Sequence, residues 1–142
     1  MSYTEKDYNR LTDSIISSAI EVHKELGPGL LESVYEVCLV SVLKSKGISV
    51  KRQVVLPVFF KGEQLEKEFI IDILVENNIV LELKSVETIL PIHEAQLVTY
   101  LKLSDKKLGL LINFNVPLLK EGIRRRINGN LNEKNSVSSV TL

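Results

Sequence analysis

The sequence predicts an α/β domain in which helices flank a central mixed four-stranded sheet, in the order α-α-β-β-β-α-β-α. Apolar residues recur at helical spacing within the first 46 residues. Segments rich in β-branched residues, separated by turn residues, fill 50–86. A helical segment at 91–103 then leads to a short apolar run, so the last strand returns by a crossover and pairs in parallel with a neighbour.

The first two predicted helices cover 11–26 and 30–46 and are separated by a Gly27-Pro28-Gly29 turn. The apolar positions of the first helix are Leu11, Ile15, Ile16, Ala19, Val22 and Leu26. The second helix carries Glu32, Tyr35 and Glu36 along neighbouring faces and ends before Gly47. Glu32 lies at its start, where the helix dipole favours an acid by about 0.3 to 1 kcal/mol, so capping is the alternative to metal or water binding.

Three strands are predicted next, at 50–60, 67–75 and 79–86. The first alternates apolar and polar residues before a Lys61-Gly62-Glu63 turn. The second and third form a hairpin with Asn77 near its tip.

Three charged residues, Asp72, Glu82 and Lys84, interrupt the apolar hairpin strands. Pairing symmetric about Asn77 places Asp72 opposite Glu82, with Cβ atoms about 5 Å apart, and puts Lys84 on the same face. Paired carboxylates repel unless a proton or a cation intervenes. Oxygen ligands in an incomplete cage suit Mg²⁺ or Mn²⁺. The alternative is a partly exposed hairpin in which Lys84 neutralises Glu82.

The segment 91–103 has helix-forming composition, with Pro91 suited to the first turn. Gln96 and Tyr100 lie one turn apart on one face, where they could orient a metal ligand or hydrogen-bond a phosphate. The alternative is a half-buried helix in which Tyr100 packs and Gln96 is solvated.

A buried strand is predicted at 107–114, and a last helix from 116 onwards. The apolar residues of that helix are Leu118, Leu119, Ile123 and Ile127, and its basic residues are Lys120, Arg124, Arg125 and Arg126. Such basic clusters contact a nucleic-acid backbone or form a solvated face. We expect one domain over 1–130 and a mobile tail over 131–142.

Composition agrees with one globular domain: the chain has 142 residues, 44% hydrophobic and 25% charged. The formal net charge of zero argues against a broadly basic surface, although a metal ion reduces the basic charge needed to engage phosphate. No apolar segment approaches the roughly 20 residues of a membrane span, and no signal peptide is visible, so we expect a cytoplasmic protein. With two histidines and the single Cys38, the sequence argues against a zinc site.

The stretch Gly29-Leu30-Leu31-Glu32-Ser33-Val34-Tyr35 resembles the motif of the GxxExxY family, which belongs to the PD-(D/E)xK nuclease superfamily. The resemblance runs from about residue 11 to 130. It includes Val22-His23-Lys24-Glu25-Leu26 before the motif, Gly109-Leu110-Leu111-Ile112-Asn113-Phe114, and the later Gly122-Ile123-Arg124-Arg125. It implies a restriction-endonuclease-like core.

The resemblance also implies site residues, as in the RecB-like and lambda-exonuclease-like branch. The implied catalytic set is Asp72, Glu82, Lys84, Gln96 and Tyr100, and the implied metal ligands are Asp72, Glu82, the Leu83 carbonyl and Glu32. Ile71 stands where the superfamily often has proline. His23, Tyr35 and Glu36 are placed at the periphery of the site.

The function expected from these residues and the resemblance is a Mg²⁺-dependent or Mn²⁺-dependent nuclease that hydrolyses phosphodiester bonds, with DNA favoured over RNA. A non-catalytic binding module on the same fold is the alternative. A protein partner or a homo-oligomer is open on sequence grounds, and no membrane partner is expected.

Overall fold

The computed structural model describes residues 3–132. Its elements in chain order are α1 (Glu5–Leu26), α2 (Glu32–Ser45), β1 (Val50–Phe60), β2 (Glu63–Val75), β3 (Ile79–Lys84), α3 (Pro91–Ser104), β4 (Leu108–Asn113), a 3-10 turn (Leu119–Gly122) and β5 (Ile123–Ile127). The five strands form one sheet in the order β1-β2-β3-β4-β5. Among the strands of the described residues, only β3 and β4 pair in parallel. The α/β class, the mixed sheet and the crossover through α3 are therefore as predicted.

Helices α1 and α2 build the larger core against the odd-numbered residues of β3 and the even-numbered residues of β4. Helix α1 begins earlier than predicted because Thr4 and Asp7 form a capping box. Tyr35 of α2 is fully buried and its ring stacks on Phe114 with centroids 4.3 Å apart. These contacts fix the start of α2 close to the end of β4.

Helix α3 covers the other face of the sheet through a second core that includes Leu97, Leu101, Val80 and Leu111. It approaches β4 closely at Gly109, where a Cβ atom would lie 2.7 Å from the Cδ1 atom of Leu97. Glycine at this position therefore lets the helix pack directly on the strand.

The hairpin turn between β2 and β3 follows the sequence prediction. Glu76 and Asn77 both adopt positive φ, and the Asn78 N–H donates to the Val75 carbonyl at 2.9 Å. Two consecutive left-handed residues are typical of the tight turns that close hairpins, and the strands on either side pair Val75 with Ile79.

The predicted last helix is wrong, and so is the four-strand count. A 3-10 turn at Leu119–Gly122 leads into β5, which pairs antiparallel with β4. The four-residue spacing of the apolar residues matched a helix, but β4 is buried along its whole length and its backbone needs a hydrogen-bonding partner on its outer side. The arginine-rich β5 supplies that partner and forms the edge of the sheet.

The predicted tail lies outside the described residues from 133 onwards. Residues 131 and 132 of the predicted tail are described. Leu131 is only 4% exposed and belongs to the larger core. Within 3–132, none of the helices has the length and apolar character needed to cross a membrane.

Candidate active site

Asp72 and Glu82 face each other across the β2 and β3 pairing. The observed register pairs Ile73 with Leu81, and its continuation places Asp72 opposite Glu82. The Oδ2 atom of Asp72 accepts a hydrogen bond of 2.8 Å from the backbone N–H of Leu83. The symmetric pairing about Asn77 thus brings the two carboxylates together as the sequence indicated.

The Glu82 carboxyl group is buried and forms no ion pair within residues 3–132. The residue is 7% exposed, and its Oε1 atom has no hydrogen-bond partner among the described residues. Burial first, and then the neighbouring Asp72 charge, raise the pKa of Glu82 to about 9, while Lys84 acts in the opposite direction. An oxygen-ligated cation would satisfy the unpartnered atom and offset the repulsion, so the donor set fits a hard divalent metal.

Lys84 is the last residue of β3. It lies two residues after Glu82 and is half-buried. The ion pairs within 3–132 do not include Lys84, so the salt bridge required by the alternative interpretation is not formed there. Its backbone carbonyl accepts from the Phe114 N–H at 2.9 Å, which fixes the strand end. The ammonium group is therefore available to a ligand beside the carboxylates.

Tyr100 of α3 borders the carboxylate pair. Its ring lies 5.4 Å from that of Phe69, and burial, followed by the charges of Glu82 and Asp72, raises the pKa of its phenol. Gln96 is exposed one helical turn earlier. The structure thus couples Tyr100 to the carboxylates and leaves Gln96 open to solvent.

Glu32 begins α2 and contacts the segment that leaves β3. Its Oε2 atom accepts from the Ser85 N–H at 3.4 Å, and the Ser85 hydroxyl donates to the Leu30 carbonyl at 2.6 Å. In the described part of the chain, no three His, Cys, Asp or Glu side chains form a metal-binding group. Glu32 is therefore placed beside the exit of β3 rather than in direct contact with both carboxylates.

The three residues expected at the periphery make bonds within the scaffold. The His23 Nε2 atom lies 2.8 Å from the Val116 carbonyl oxygen. The Tyr35 hydroxyl donates to the Gly27 carbonyl at 2.6 Å and accepts from the Leu30 N–H at 3.1 Å. Glu36 accepts from Arg52 at 2.7 Å and from Gln53 at 2.7 Å.

Two residues of the motif from Gly29 to Tyr35, together with Leu30, have a structural role. Tyr35 holds both sides of the turn between α1 and α2, and Glu32 and Leu30 hold Ser85. The motif therefore ties the α1 and α2 turn to the residue that follows Lys84.

Asn113, which the sequence analysis did not select, holds the same strand exit from the other side. It is 2% exposed, its Oδ1 atom accepts from the Val86 N–H at 3.0 Å, and its Nδ2 group donates to the Val86 carbonyl at 2.9 Å. It also pairs with Lys84 in the parallel register. The sequence signal that could have identified Asn113 is its position as a polar residue directly after the apolar run of β4.

The sequence matches a family model over most of its length. A family model described as the PD-(D/E)XK nuclease superfamily matches residues 9–126. Members of this superfamily are usually nucleases and generally use divalent metals. A search of curated proteins finds no match.

Among solved structures, the crystal structure of SSO0001 is similar to the chain with a TM-score of 0.47 and 22% sequence identity. That similarity covers 76% of this chain and 52% of SSO0001, so the chain spans about half of that protein's length. The match of the family model extends over most of the sequence and includes Asp72, Glu82 and Lys84. The chain belongs to the PD-(D/E)XK nuclease superfamily.

Proposed function

We propose that this protein is a divalent-metal-dependent nuclease of the GxxExxY type, related to the RecB-like branch, and that it favours DNA over RNA in the cytoplasm. The observation that carries the proposal is the buried Glu82 carboxylate, which has an unpartnered oxygen and faces Asp72. A buried carboxyl group with an unpartnered oxygen costs stability unless a ligand satisfies it, so this pair is the strongest candidate for a ligand site among the described residues.

Asp72, Glu82 and the Leu83 carbonyl would hold Mg²⁺ or Mn²⁺, with Glu32 contributing through water. When bound, the metal supplies charge stabilisation to a phosphate and lowers the pKa of a coordinated water. The backbone N–H of Leu83 donates a hydrogen bond to the Asp72 carboxylate, and this bond restricts the orientation of the carboxylate.

Lys84 positions the nucleophilic water and one phosphate oxygen, because its ammonium group lies on the carboxylate face with no ion-pair partner within 3–132. The phenol of Tyr100 donates a hydrogen bond to the phosphate or to a ligand of the site. Its raised pKa keeps this proton in place at neutral pH. Gln96 is exposed one helical turn before Tyr100 and contacts substrate beside it.

A non-catalytic binding module is the second candidate, favoured by the formal net charge of zero. Cleavage of labelled single-stranded DNA, double-stranded DNA and RNA with Mg²⁺ or Mn²⁺ separates the two. The variants are Lys84→Ala and a matched control, Lys6→Ala, which removes an exposed lysine from α1.

We expect the wild type and Lys6→Ala to cleave DNA faster than RNA, and Lys84→Ala to lose at least a hundredfold in rate. Equal cleavage by the wild type and Lys84→Ala would contradict the proposal. Absence of cleavage on all three substrates would favour the binding module.

A further inference from the structure

Strand β5 presents its arginines to two different faces of the sheet. Arg125 donates to Asn9 of α1 at 2.9 Å, whereas Arg126 forms an ion pair with Glu94 of α3. Because side chains alternate along a strand, Arg124 shares the α3 face with Arg126. The helix predicted from the sequence would not have separated these three residues in this way.

The strand register places Arg124 in one row with the candidate active site. Glu82 pairs with Leu111, and Leu111 pairs with Arg124. Directly paired residues on neighbouring strands point to the same face. Two strand spacings separate Glu82 from Arg124, so their backbones lie about 10 Å apart, with Leu111 between them.

The guanidinium of Arg124 has no carboxylate partner among residues 3–132. Its Nη1 atom donates to the Glu121 carbonyl at 2.9 Å and to the Ile123 carbonyl at 3.1 Å. By contrast, Arg52 pairs with Glu36, and Arg126 pairs with Glu94. Arg124 is thus a half-buried cation on the active-site face, and its hydrogen bonds within residues 3–132 go to backbone carbonyls only.

We propose that Arg124 binds a backbone phosphate of the nucleic acid next to the one that is cleaved, an inference that rests on the nuclease function proposed above. A guanidinium matches phosphate geometry with two parallel N–H donors, which lysine does not. The spacing of about 10 Å from Glu82 is too long for the two residues to hold the same phosphate and fits a neighbouring one.

The test is binding of a fluorescently labelled single-stranded DNA oligonucleotide in Mg²⁺, measured by polarisation in a Lys84→Ala background to prevent turnover. The variants add Arg124→Ala, Arg124→Lys or the control Arg125→Ala, which removes the same charge from the opposite face. Arg124→Ala should weaken binding at least fivefold and reduce the slope of log K against log salt by about 0.7, the value for one single-strand phosphate contact. Arg124→Lys should fall between the parent and Arg124→Ala, and Arg125→Ala should change affinity less than twofold.

Two results would overturn the inference. Equal losses in Arg124→Ala and Arg125→Ala, or no loss in either, would show that Arg124 makes no specific contact while leaving the nuclease proposal intact. No oligonucleotide binding by the Lys84→Ala parent, together with none by the wild type under the same conditions, would overturn both proposals. Thermal unfolding of each variant verifies that it is folded.

Discussion

The Asp72 carboxylate accepts a 2.8 Å hydrogen bond from the backbone N–H of Leu83, the residue between Glu82 and Lys84. Through this bond, the acid of one strand fixes the backbone that carries the other two charged residues. Asp72 therefore has two separable roles, one in holding strand β3 and one in binding a cation.

Replacing Asp72 with alanine or asparagine separates those roles. Asparagine retains an oxygen that accepts from Leu83, whereas alanine does not, so Asp72→Ala should be less stable than Asp72→Asn by about 1 kcal/mol. Urea denaturation in EDTA measures this difference. Equal free energies of unfolding would show that the Leu83 bond contributes nothing to stability.

The raised pKa of Glu82 predicts how the stability of the metal-free protein depends on pH. Between the ordinary carboxyl pKa of 4.5 and the folded value of about 9, the folded state binds a proton that the unfolded state has lost. Stability should therefore fall by a few kcal/mol as pH rises from 5 to 9. Urea denaturation in EDTA across this range checks it. Glu82→Gln should flatten the profile, and an unchanged slope in that variant would contradict the assignment to Glu82.

Asn113→Ala should lower the free energy of unfolding by about 2 to 3 kcal/mol, because it removes the partners of the Val86 N–H and carbonyl. The matched variant Asn115→Ala should cost less, since the Asn115 contact to Asn113 is made by its backbone N–H, which alanine retains. Chemical denaturation of both variants tests the role of Asn113. Similar losses in the two variants would argue against it.

Glu32→Gln should mainly lower the cleavage rate, whereas Tyr35→Phe should mainly lower the stability. Glu32 is exposed, so its substitution should change stability by less than about 1 kcal/mol while lowering the cleavage rate at least tenfold. Tyr35→Phe keeps the buried ring and loses two hydrogen bonds, which should cost about 1 to 3 kcal/mol of stability with a smaller effect on rate. Cleavage rates and denaturation curves of both variants would decide. A stable Glu32→Gln variant with the wild-type rate would exclude Glu32 from the site.

Local signals were sufficient to predict the hairpin and the relation between Asp72 and Glu82. The turn residues around Asn77 set the register, and side-chain alternation then fixed which residues share a face. The same local reasoning failed at Ile123 and Ile127, where helical spacing was outweighed by the need of β4 for a backbone partner. That need arises from the position of β4 in the sheet, which no short window of sequence contains.

The contacts of Glu36 and Asn113 could not be predicted from the neighbouring sequence either. Glu36 pairs with Arg52 across 16 residues, and Asn113 bonds Val86 across 27 residues. A polar residue in an apolar segment indicates that some partner exists, and only the tertiary structure identifies it.

The central claim is that Asp72 and Glu82 together hold a divalent cation, and calorimetric titration with Mn²⁺ tests it most directly. The wild type and the control Asp13→Asn, which removes an exposed acid from α1, should bind with the same affinity. Asp72→Asn and Glu82→Gln should each weaken binding at least tenfold, because each removes a charged oxygen ligand. Unchanged Mn²⁺ affinity in both of these variants would contradict the account.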